Sequence, residues 1–199
     1  GSMEDPDYLS AVSANENQVL IGVLFQLVLT ASVVAIPIVM YPILKKQNGS
    51  LALGYFGARI FEGFFDALMA ISLLLLLTLS REFIEVGSPD VSYFKASGAL
   101  LLAAYDWISI VENFPYALGA LIFYYLLWRS KLIPRWLSGW GFIGGTLMLA
   151  MGLLRMFGYP VIFLAIPIIL NELVLAIWLI VKGFNSSTIA SQSVKIAMT

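Results

Sequence analysis

The chain has 199 residues, of which 60% are hydrophobic and 12% charged, with a mean hydropathy of +0.92 and a formal net charge of −1 from 11 basic and 12 acidic side chains. A soluble domain carries roughly 45–50% apolar and 25% charged residues, so this is the composition of an integral membrane protein. With 0 Cys and 0 His, disulfide frameworks, thiol nucleophiles and imidazole-based zinc, haem or general-base chemistry are excluded, and no basic stripe marks a nucleic-acid partner.

Residues 1–17 begin with "GSM", which reads as an expression scar, and continue as an acidic extracytoplasmic N-terminus without the basic n-region of a cleaved signal peptide. Five apolar runs follow, at 18–44, 52–79, 97–128, 136–157 and 160–182. Each is long enough to cross about 30 Å of hydrocarbon at about 1.5 Å per helical residue, and none alternates with the period of a barrel strand. The expected fold is therefore an all-α bundle of about five transmembrane helices over 18–184, with 185–199 a polar tail. The run 97–128 would be about 48 Å long as one helix. A split would leave no loop between two short spans, so a single helix bent at Pro115 is expected.

Basic residues set the orientation. Lys45 and Lys46 follow the first run, Arg129, Lys131 and Arg135 the third, and Lys182 the fifth. The opposite loops mix Arg81 and Lys95 with Glu82, Glu85 and Asp90. The positive-inside rule then places the N-terminus outside and the C-terminus inside.

The stretch "ARIFEGFFDALMA" carries Arg59, Glu62 and Asp66 inside the second run. At 100° per residue these three and Tyr55 share one helical stripe. Measured from the basic end, Glu62 lies about 16 Å deep, Asp66 about 22 Å, Glu112 about 24 Å and Glu172 about 15 Å. A charge at mid-bilayer costs at least about 2.5–3.5 kcal/mol, so all four acids are expected to face the bundle interior. Arg59 alone cannot neutralise them, which leaves protonated acids or a bound cation. Pro167, four residues before Asn171, is expected to free a carbonyl near residue 163 opposite Asn171 and Glu172. Pro37, Pro42 and Pro115 interrupt other runs. Asp106 and Trp107 read as interfacial, Asn113 as a neighbour of Glu112, and "GGTLMLAMG" as a close-packing surface.

The segments "GARIFEG", "YDW", "LLWRSKLIPRWLSGWGFIGG" and "AIPIILNELVLAIWLIVKGF" together resemble a prokaryotic multi-pass membrane family catalogued as a domain of unknown function (number 4386), over about residues 17–184. The resemblance implies a membrane bundle in the prokaryotic cytoplasmic membrane. It also implies an Arg-x-x-Glu pair at Arg59 and Glu62 and an acid at Glu172. Many relatives have His before the Asp-Trp pair where this chain has Tyr105, so no role of that imidazole carries over.

The ligand-binding or proton-linked candidates are thus Arg59, Glu62, Asp66, Glu112, Asn171 and Glu172, with Tyr55, Asp106, Trp107 and Asn113 as secondary candidates. The leading expectation is binding or transport of a small amphipathic molecule, cation or proton, with a lipid ligand or a homodimer also consistent with the sequence. Two alternatives stay open: an intramembrane lipid- or isoprenoid-modifying enzyme using carboxylates, and an accessory or sensor subunit whose ion pairs are purely structural. No cofactor is expected beyond a carboxylate-bound cation.

Overall fold

The structure, a computed structural model, describes residues 8–86 and 91–185. Every regular element among them is helical. A short helix α1 (Tyr8–Ala14) precedes α2 (Glu16–Leu44), α3 (Gly49–Val86), α4 (Val91–Ser130) and α5 (Arg135–Met156); a 3-10 turn (Ile162–Ala165) then leads into α6 (Ile166–Val181). Among the described residues five helices are long and apolar enough to cross a membrane. The segment that was too long for one crossing is a single α-helix with Pro115 inside it.

Two expectations about boundaries are corrected. The N-terminal segment is not merely a polar lead, because residues 8–14 form α1; residues 1–7, with the "GSM" start, lie outside the described residues, as does the tail beyond Asn185. Most of the stretch expected as a loop between the second and third runs is helix, with α3 continuing to Val86 and α4 starting at Val91. Apolar contacts between segments far apart in the chain explain both changes. Leu9, Leu76 and Phe94 are buried together, and the Phe83 and Phe94 rings meet edge to face at 5.6 Å. This cluster gives the overhanging turns something to bury beyond the spans.

The chain divides into two compact units, one made of 8–33, 63–86 and 91–111, the other of 34–62 and 112–185. In the first, α1 is tied down by Ser80 Oγ donating to Leu9 O and by Tyr8 OH donating to Lys95 O at 3.3 Å. Gly98 leaves room for the Tyr8 ring, and Arg81 pairs with Glu16 at the start of α2.

The second unit holds the larger core, which runs from Met40 and Leu44 through Tyr124, Leu127, Leu132 and Leu137 to Ile168 and Leu175. Its organiser is α5, whose buried side combines Leu137, Met148 and Met151 with small residues. Gly141 lies under the Tyr124 ring, Gly144 against Ile168, and Gly145 within 3.3 Å, measured from an ideal Cβ, of Ala120. Without a hydrophobic driving force between helices in lipid, close backbone approach of this kind supplies the packing energy. The expected close-packing role of "GGTLMLAMG" is therefore observed. Outside, apolar side chains such as Phe25, Val39 and Ile180 are exposed, as the surface of a lipid-embedded bundle requires.

Candidate functional site

The site is built in the second unit, where α3, α4 and α6 each contribute polar side chains within the membrane-spanning segments. On α3, three residues separate Arg59 from Glu62, which is close to one helical turn, and the Arg59 Nη1 donates to Glu62 Oε2 at 2.8 Å. Both side chains are sequestered, at 12% and 4% exposure. One turn earlier Tyr55 is buried and stacks on Phe123 at 5.0 Å between centroids. Gly119 on α4 lets the Arg59 stem lie against that helix.

Tyr116 then joins α4 to both charges. The Arg59 guanidinium lies over the Tyr116 ring at 5.8 Å, and the Tyr116 hydroxyl donates to Glu172 Oε1 on α6 at 2.7 Å. Glu172 also acts electrostatically on Arg59, Tyr55 and Tyr124. Glu62 pairs directly with the guanidinium and Glu172 acts on it only at longer range, and the set sums to −1 when all three groups are ionised.

Not every expected residue joins this set. Glu172 was expected to face the bundle interior with the other acids, yet its side chain is exposed, while its neighbour Asn171 is fully buried. Consecutive helical residues point about 100° apart, so one α6 turn cannot turn both inward. Asn171 does not face a carbonyl near residue 163. Its Nδ2 donates to Leu137 O on α5 at 2.9 Å, and its Oδ1 is buried without a hydrogen-bond partner. The expected role of Pro167 changes with it: this proline stands in the first turn of α6, where a missing N–H breaks no internal bond.

Glu112 and Asn113 lie in the same unit, partly buried and buried respectively, each with an interaction of its own. Asp66 belongs to the first unit, where it is buried and accepts a hydrogen bond from Gln26 Nε2 at 2.9 Å. Asp106 and Trp107 are also in the first unit, and both are exposed. Sequence reasoning missed Tyr116, Tyr124 and Gln26. Gln26 was the findable one, since a lone amide in "VLFQLVL" needs a partner in a spanning helix. Among the described residues, no three of His, Cys, Asp and Glu converge in a way that could hold a metal ion.

Fold and site together define a multi-pass helical membrane protein with a charged and phenolic site inside its spanning region. The chain belongs to the family described as "Domain of unknown function (DUF4386)", which matches residues 2–183. The match takes in α1 as well as the five spans, further toward the N-terminus than the motifs alone indicate. No curated protein and no solved structure matches the chain.

Proposed function

We propose that the constellation of Arg59, Glu62, Tyr116 and Glu172 binds a small amphipathic molecule, a cation or a proton within the membrane and passes it into or across the bilayer. The observation that carries this reading is Glu172. It is an exposed carboxylate within a spanning segment, held by the Tyr116 hydroxyl. A charge there is expensive, and such residues mark ion, proton or substrate paths. Its neighbours sharpen its role: Glu62 holds the direct ion pair with Arg59, so Glu172 is the carboxylate left to exchange a proton or meet a cationic group, with Tyr55 and Tyr116 as the phenolic wall. The buried Arg59–Glu62 pair itself fits the structural reading, in which it fixes the site's shape. Glu112, Asn113 and Asn171 support the fold around this path, Asp66 serves the packing of its own unit through Gln26, and Asp106 and Trp107 belong to an interfacial belt.

In this reading the chain sits in the cytoplasmic membrane of a prokaryotic cell, with Lys45, Lys131, Arg135 and Lys182 on the cytoplasmic side. A homodimer would enlarge an otherwise small carrier. Native mass spectrometry of the detergent-released protein tests the proposal together with infrared titration of protonated carboxyl groups. A defined adduct, or a titrating carboxyl band, that disappears in Glu172→Gln while the fold persists is the expected result. An adduct or band unchanged in Glu172→Gln, or neither signal in the unaltered protein, overturns it.

A further inference from the structure

A second feature of the same unit lies apart from the charged set, where α4 ends and α5 begins. A cavity of about 390 Å³ opens between the α4–α5 turn and the end of α6. Lys131, Arg135 and Lys182 line it, with Trp178 as an aromatic wall and no acidic residue. Two backbone features shape it. Gly183 takes a positive φ of 68° just past α6, which turns the chain back so that Asn185 N bonds Leu132 O at 2.9 Å. Lys131 takes φ 56° immediately after α4, a left-handed conformation that glycine adopts without strain and a lysine does not. A residue kept in that conformation with its side chain on a cavity points to use of the side chain.

Arg135 connects this cavity to an apolar cleft. Its guanidinium lies over the Trp128 ring at 5.8 Å. Trp128 lines a cleft of about 360 Å³ with Tyr125, Gly139 and Phe142. Arg135, Gly139 and Phe142 recur at spacings of four and three along α5, so they form one stripe that runs about 10 Å from the helix start into the spanning segment. An ideal Cβ at Gly139 would lie 2.7 Å from Trp128 Cζ3, so the glycine is what lets the indole lie on this face. Cations at the end of a spanning helix, continuous with an apolar groove along it, match a molecule with an anionic head and a hydrocarbon tail.

We propose that this end of the protein is a binding site for an anionic phospholipid, with the headgroup phosphate among Lys131, Arg135 and Lys182 and an acyl chain along Tyr125, Gly139 and Phe142. A free phosphate would use the first half of the site and leave the groove without a role.

The test is retention of phosphatidylglycerol against phosphatidylcholine by the purified full chain in native mass spectrometry, with inorganic phosphate as competitor. The unaltered protein should hold phosphatidylglycerol at least about fivefold better, and phosphate in excess should not displace it. Lys131→Gln with Arg135→Gln and Lys182→Gln should abolish the preference, and Lys45→Gln with Lys46→Gln should keep it. Lys131→Gly is the variant that separates binding from folding: it relieves the backbone strain, so its melting temperature should hold or rise while the preference falls. Equal retention of both lipids, displacement by inorganic phosphate, an unchanged preference in the triple variant or in Lys131→Gly, or its loss on changing Lys45 and Lys46, each overturns the proposal.

Discussion

Replacing Arg59 by Gln should cost more stability than replacing Glu62 by Gln, although both break the same 2.8 Å ion pair. The asymmetry follows from Glu172, whose charge also acts on Arg59. In Arg59→Gln both carboxylates keep their charge and lose the guanidinium, and the one on Glu62 has a side chain only 4% exposed. Removing one partner of a buried ion pair costs about 3–5 kcal/mol. In Glu62→Gln the amide oxygen still accepts from Arg59 Nη1, and Glu172 still offsets the guanidinium. The loss is then the difference between a charge-assisted and a neutral hydrogen bond, about 1–2 kcal/mol. The double variant leaves two neutral amides and should be more stable than Arg59→Gln alone, with a coupling of about 2 kcal/mol or more. Equilibrium unfolding in mixed micelles, followed by circular dichroism at fixed pH and salt, measures all four proteins. Equal costs, or a larger cost for Glu62→Gln, would refute the assignment of Glu172 as the second anion on Arg59.

Other substitutions probe the packing that holds the site. A methyl group at Gly141 would overlap the buried Tyr124 ring, so Gly141→Ala should destabilise by about 1–3 kcal/mol, whereas Gly57→Ala, with open space around it, should stabilise by about 0.5–1 kcal/mol in the same unfolding assay. Asn171→Ala removes the bond to Leu137 O and should cost about 1–3 kcal/mol by thermal unfolding, despite the absence of any charge at that position. In the first unit Gly98→Ala should push the Tyr8 hydroxyl off Lys95 O. Hydrogen exchange should then accelerate about tenfold at α1 amides, corresponding to about 1.4 kcal/mol of lost local protection, and stay unchanged in α5.

The five spans were legible because the length and continuity of an apolar run are the signal for a membrane helix, and 97–128 read as one helix because a split would leave no loop between two short spans. The overhanging ends of α3 and α4 and the short α1 were not, because they are held by contacts between segments far apart in the chain. Leu9 meets Leu76 and Phe94 in space, and no local periodicity announces that. The tight seams of α5 were legible through composition, since small residues in a spanning helix have few uses besides close approach. At the site, the i, i+3 spacing gave the Arg59–Glu62 pair, but the partners across helices, Tyr116 for Glu172 and Gln26 for Asp66, depend on register between helices that the sequence does not display.

Glu172 shows why depth in the membrane and burial in the protein are separate quantities. Counting residues from a helix end estimates how far a side chain lies from the headgroups, and by that count Glu62 and Glu172 are nearly level. Burial depends on azimuth around the axis, which in α6 is set by Asn171, Ile168 and Leu175 turning inward toward α5. With those three fixed, the residue after Asn171 must lie off the packed face, about 100° around the helix. The sequence then placed an acid at that position, and the fold answered with the Tyr116 hydroxyl rather than with a full counter-charge. A purely structural role would be served by an apolar residue there at lower cost. In the proposed function it is the position of this carboxylate, more than the presence of several acids, that links the bundle to a ligand or a proton.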